Sequence, residues 1–139
     1  MIKTADLKAK LTTAEYDEIF AKIYKKEDVS SQKERYIRIA ESFEQLFGSG
    51  REVGIFSAPG RTEVGGNHTD HQRGRVLAAA VNLDTVAAVR PNETDKIRIL
   101  SEGYPMCEID LNDLVPDEKE FNTTPALVRG VAARFVERG

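Results

Sequence analysis

Apolar residues recur at helical spacing twice within the first fifty positions. Tyr16, Ile19, Phe20, Ile23 and Tyr24 form one stripe, and Tyr36, Ile39, Ala40, Phe43, Leu46 and Phe47 form a second. Thr12 with Glu15, and Ser31 with Glu34, have the spacing of capping boxes and predict helix starts at those positions. Gly48 predicts the C-cap of the second helix. The pattern changes at Arg51. The run VGIFSA is short and rich in β-branched and apolar residues, which predicts a strand ended by Pro59–Gly60. Val76 to Val89 is the longest apolar tract. Its alanines permit a helix, but Val81, Leu83, Thr85, Val86 and Val89 favour a largely buried strand over its second half. Lys96 to Leu100 alternates polar and apolar residues, as a half-buried strand does, and Met106 to Ile109 is a suitable partner. Thr124 before Pro125 predicts an N-cap and first helical position. Leu127, Val128, Val131, Ala132, Phe135 and Val136 then continue a helical stripe towards Gly139.

This order of elements predicts an α+β fold in which a mixed β-sheet of at least three strands packs with helices. Residues 1–50 read as a helical N-terminal segment and residues 51–139 as a second region. The abrupt end of the last helical stripe suggests a boundary inside a longer protein.

Composition narrows the class. The chain has 139 residues, 40% apolar and 31% charged, with a formal net charge of −3. These are ordinary values for one globular domain or a piece of a larger one. No apolar run approaches the length of a membrane span, and MIKTADLKAKL lacks the apolar segment of a secretory signal. The charges are mixed, without a basic block, so nucleic acid is not an expected partner. The single cysteine, Cys107, has no partner for an internal disulfide, which fits a cytoplasmic location.

Chemistry concentrates in FSAPGRTEVGGNHTDHQRG, residues 56–74, which holds both histidines of the chain. Three readings compete. As a metal site, His68, His71 and Asp70 would need help from Glu63 or Cys107, and no ligand spacing of a known zinc motif is present. As a phosphate cradle, Gly65–Gly66 would offer backbone N–H groups, but neither GxxxxGK[ST] nor GxGxxG occurs. As a pocket for a polar small molecule such as a sugar, Arg61, Glu63, Asn67, His68, Asp70 and His71 supply acceptors and donors together. The blander alternative is that the glycines serve turn geometry and Asn67 caps a turn.

The spacing APGR-x-x-x-x-G-x-H-T-D-x-x-x-G, from Ala58 to Gly74, resembles the galactokinase signature. That family sits within the larger group of small-molecule kinases that includes homoserine and mevalonate kinases. VLAAAVNLDTVAAV and the segment from Thr124 to Val136 also look like the family's following strand and helix, so the resemblance covers about Val53 to Gly139. It implies the first part of a galactokinase-like N-terminal domain, of ribosomal protein S5 domain 2-like fold, carrying the sugar-binding signature. It implies ATP-dependent phosphorylation of galactose at its 1-hydroxyl, with Mg2+ assisting. By position, it gives Arg61 a catalytic and substrate-binding role beside the reacting hydroxyl. His68 and Asp70 match residues that hydrogen-bond sugar hydroxyls. Asn67 stands where the family usually has a glutamate, His71 where it has tyrosine, and Glu63 where it has asparagine. No residue is implied as a metal ligand.

The resemblance places the ATP phosphate loop, the catalytic base and the C-terminal domain beyond residue 139. The expectation is therefore a chain that binds neither ATP nor Mg2+, is inactive alone, and self-associates through exposed core surface. The expected ligand is galactose or a related monosaccharide. Two further readings remain open: a non-catalytic, galactokinase-like sugar-binding regulator, and a kinase for a related sugar.

Overall fold

The computed structural model describes residues 1–66 and 70–139. It divides into two compact units, Met1–Arg90 and Pro91–Gly139.

The first unit opens with a short strand β1 (Ile2–Lys3) and helix α1 (Thr4–Leu11). Helices α2 (Asp17–Ile23) and α3 (Val29–Phe47) follow, then two long strands, β2 (Glu52–Gly65) and β3 (Leu77–Val89). The sheet order is β1-β2-β3, with both pairs antiparallel. The two sequence stripes meet in one core. Phe20 and Tyr24 pack with Tyr36, Ala40 and Phe43, and Leu7, Leu11 and Val53 close the cluster. Burying a leucine such as Leu11 contributes roughly 1.5–3 kcal/mol, so this cluster is the main source of cohesion for the helices.

The expected helix ends hold in part. Gly48 caps α3 with φ +89°, and its N–H donates to the Glu44 carbonyl. The capping boxes do not form. Thr12 closes α1, its hydroxyl donating to the Ala9 carbonyl, while Thr13 accepts from the Glu15 N–H and starts the next turn. Ser31 lies inside α3, with its hydroxyl donating to the Asp28 carbonyl. Adjacent threonines and a serine one turn into a helix mimic the cap spacing, because hydroxyls also bond back to the preceding turn.

The strands differ more. β2 does not stop at Pro59–Gly60 but runs through it to Gly65. Proline is tolerated on a strand with an open edge, and beyond Val53 β2 pairs with β3 alone among the described residues. The tract after Val76 is strand throughout and not helix. It is also not largely buried, since Leu83 is 75% exposed and Val89 is exposed too.

In the second unit β4 (Lys96–Ile99) pairs antiparallel with β5 (Cys107–Asp110), as the alternation predicts. Ile97 faces Ile109, which is fully buried, and Cys107 is buried and free. Helix α4 (Thr124–Arg138) has Pro125 in its first turn, but the N-cap is Thr123 rather than Thr124. Helices and sheets thus combine in an α+β arrangement. No helix among the described residues is long and apolar enough to cross a membrane.

Candidate functional site

The described signature residues begin on β2 at Ala58 and continue past its end at Gly65 to the turn Asp70–Gln72. From Gly54↔Val89 to Pro59↔Asp84 the two strands pair one for one. Pairing resumes at Arg61↔Ala80, so a single β2 residue, Gly60, faces Val81, Asn82 and Leu83 of β3. This is a bulge on β3, which bends a strand and re-aims the side chains beyond it. Gly60 eases the close approach of β3 at the bulge. A Cβ at this position would lie 3.1 Å from the Leu83 carbonyl oxygen and 3.3 Å from Val81 Cγ2.

Arg61 is the first paired residue beyond the bulge and is exposed, opposite the small side chain of Ala80. Its guanidinium contacts the Glu63 carboxylate at 3.3 Å, two residues on and therefore on the same face of the strand. The expectation that Arg61 and Glu63 sit on a loop is corrected: both are strand residues.

At the far end the hairpin is pinched. Gly66 has φ +103°, and a Cβ there would come within 2.4 Å of the Arg75 carbonyl oxygen. Only glycine accommodates both the backbone conformation and the approach of the returning chain. Asp70 begins a single 3-10 turn, Asp70–Gln72, and Arg73 follows with φ +63°. Asn67 and His68 lie outside the described residues. Of the four expected site residues, the structure therefore describes the setting of Arg61 and the backbone position of Asp70.

A second polar cluster was not anticipated from the sequence. Asp84, on β3 immediately beside the bulge, has a side chain only 3% exposed. Its Oδ1 accepts from Arg35 Nη1 at 2.6 Å, and Arg35 Nη2 donates to the Asp84 carbonyl at 2.7 Å. Its Oδ2 accepts from the hydroxyls of Tyr24 and Ser57, each at 2.5 Å. The Tyr24 and Tyr36 hydroxyls bond to each other at 2.9 Å. Burial alone would raise the Asp84 carboxyl, but the hydrogen bonds from Ser57, Tyr24 and Arg35, with the charge of Arg35, outweigh it and hold the group below its ordinary range. Burial, followed by the bond to Asp84, pushes the Tyr24 phenol up. One signal was available in the sequence. A carboxylate within an apolar strand tract must find donors if it is buried. Nothing in the sequence pattern named Arg35 or Tyr24 as those donors.

Comparison with known proteins identifies the stretch independently. The galactokinase galactose-binding signature matches residues 41–91, which include α3's last turns, β2, the turn and β3. Galactokinase from Lactococcus lactis subsp. cremoris is 34% identical over 86 residues, 60% of this chain and 22% of the relative. Galactokinase from Ligilactobacillus salivarius is 36% identical over 85 residues, 59% of this chain and 22% of the relative. Galactokinase from Streptococcus suis is 33% identical over 105 residues, 73% of this chain and 26% of the relative. No solved structure matches the chain. The chain spans about a quarter or less of the length of these curated relatives. In signature and in sequence the chain is similar to galactokinases over this short part of their length.

Proposed function

We propose that the chain carries the sugar-binding part of a galactokinase-related enzyme that transfers the γ-phosphoryl group of ATP to the 1-hydroxyl of galactose. The observation that carries this reading is the signature over residues 41–91, within which Arg61 stands exposed on β2 just beyond the point where β3 bulges. In the reaction the sugar oxygen forms a bond to the γ-phosphorus as the bond to ADP breaks, and the hydroxyl proton passes to a base. Arg61 offers a planar, permanently charged fork of donors to the oxygens on which charge accumulates. Asn67, His68 and Asp70 would hold the sugar hydroxyls. An asparagine at position 67 accepts through one oxygen and adds two donors, so the hydroxyl pattern it prefers differs from that of a glutamate.

ATP supplies the phosphoryl group, and Mg2+ neutralises its oxygens when bound. Among the described residues no three His, Cys, Asp or Glu come together as a metal site, and no residue of this chain is assigned to either. In this reading the chain is the first part of an N-terminal domain of ribosomal protein S5 domain 2-like fold, with residues 1–50 as its helical preface. In this reading these 139 residues by themselves do not transfer phosphate; they span about a quarter of their relatives. A cytoplasmic location accords with the free, buried Cys107.

The test is steady-state kinetics of the complete protein across galactose, 2-deoxygalactose, galactosamine, arabinose and glucose. Asp70→Ala is expected to weaken use of the preferred sugar by roughly ten- to 150-fold, the worth of a lost charged hydrogen bond. Asn67→Glu is expected to move preference towards galactose if another sugar is native. No phosphorylation of any of these sugars, with sugar still bound, would favour the regulator reading instead.

The apolar face of α4 bears on partners. Leu127 is 70% exposed and Phe135 74%, with Val131 and Val136 exposed beside them. A patch of this kind is covered in solution, and self-association is the expected cover for the isolated chain. Light scattering should show species larger than a monomer that shrink on Leu127→Lys with Phe135→Lys. A strict monomer before substitution would contradict the expectation.

A further inference from the structure

We infer that the outer edge of β3 is a self-recognition surface, to which a second copy of this chain adds its own β3, antiparallel, about a two-fold axis at Leu83. The sheet order β1-β2-β3 leaves β3 at the end, with no strand on its outer side among the described residues. A row of unpaired N–H and C=O groups is a template for another chain unless prolines, charges or a cover blunt it. The two open edges of this sheet differ in that respect. Beyond Val53, β2 carries Pro59, which has no N–H to offer, and the charged pair Arg61 and Glu63. β3 runs for 13 residues, LAAAVNLDTVAAV, with no proline, no glycine and a single charge. That charge, Asp84, is turned towards the helices and satisfied there by Arg35 and Tyr24.

The sequence of β3 identifies the partner, because it reads nearly the same in both directions. An antiparallel copy centred on Leu83 sets Leu77 opposite Val89, Ala79 opposite Ala87 and Ala80 opposite Val86, with Leu83 opposite itself. Apolar residues of matching size meet in each pair, which is the arrangement a two-fold interface requires. Asp84 then faces Asn82, whereas an axis at Asp84 would oppose two carboxylates. The faces agree as well. Asp84, Val86 and Ala88 face the helices, while Leu83, 75% exposed, lies on the opposite face. Opposed residues share a face, and each pair here is an even number of residues apart in the sequence. Residues of the helical side therefore meet only residues of that side.

A bulge such as that at Val81–Leu83 ordinarily turns an edge away from partners. Here both copies carry it on the axis. The flanks on either side then contain equal numbers of residues in the two strands, and neither is thrown out of step. The association through α4 is a separate contact, so the two can be taken apart by substitution.

The test uses the 139-residue chain with Cys107→Ala, and with Leu127→Lys and Phe135→Lys to remove association through α4. Light scattering should show a dimer. Leu83→Lys and Leu83→Glu each set like charges face to face across the axis, so each should give monomers, and their equimolar mixture should restore a dimer. Leu83 is exposed, so circular dichroism of both variants should match the parent. Cysteines read the register. In this pairing two copies of position 79, or of position 87, lie roughly 27 Å apart, and neither Ala79→Cys nor Ala87→Cys alone should oxidise to a dimer. Mixed together, the two variants should close a disulfide between copies, since opposed residues come within its reach. A monomer in the α4-substituted chain overturns the proposal, as does a dimer that Leu83→Lys leaves intact. A dimer in which Ala79→Cys chains link to one another as fast as to Ala87→Cys chains is paired otherwise, and overturns it equally.

Discussion

Replacing Arg61 with alanine in the complete protein should lower kcat by roughly a hundred- to a thousandfold, the usual loss when one donor to developing charge is removed. KM for the sugar should change little. In the proposed reaction the partner of the guanidinium is charge that grows during transfer, so the interaction contributes mainly at the transition state. Folding effects do not confuse the measurement. Arg61 is 67% exposed on its side chain, and its ion pair with Glu63 spans 3.3 Å. An exposed pair of that kind is worth about 0–1 kcal/mol, too little to unfold the domain. Arg61→Lys should fall between the two, since it restores the charge without the planar fork. Single-turnover rates would separate the chemical step from product release. A turnover equal to the parent's in Arg61→Ala would take this residue out of the reaction.

The helical half was legible because its apolar stripes are long and regular. Tyr36, Ala40 and Phe43 are buried at the spacing the pattern gives, and Gly48 caps the helix as expected. Helix starts were less legible, since Thr12 and Thr13 are chemically equivalent candidates and only the backbone decides between them. The β2 boundary misled for a different reason. Pro59–Gly60 has the composition of a turn, yet here proline sits on an open strand edge and glycine makes room for a bulge. The signature motif was legible by its spacing, but spacing does not reveal that Arg61 is a strand residue. Asp84 was hidden most deeply. Its meaning depends on Arg35, 49 residues away in the chain, and pairwise contacts of that range leave no trace in local periodicity.

Asp84→Ala should destabilise the chain by about 3 kcal/mol at neutral pH. Breaking a buried ion pair by removing one partner costs roughly 3–5 kcal/mol, and the lower end applies because Arg35 remains 31% exposed and can turn to water. Tyr24 and Tyr36 keep their mutual hydrogen bond, which limits the number of orphaned groups. Against a total of about 5–15 kcal/mol for a typical domain, the loss is large. The effect should depend on pH in a defined direction. The Asp84 carboxyl is held below its ordinary range, so the folded state binds its proton less readily than the unfolded chain does. The stabilisation is therefore complete above the ordinary aspartate value and is lost as pH falls through the lower folded value. Urea unfolding at neutral pH should separate parent and Asp84→Ala by a clear shift in midpoint at similar slope, and the gap should narrow as the pH is taken below about 4. Asp84→Asn should show a smaller loss at neutral pH and little of the acid dependence, because its amide oxygen still accepts one bond and carries no proton to gain. A gap that stayed constant from neutral to strongly acidic pH would mean that the carboxylate is not what holds the helices to the hairpin.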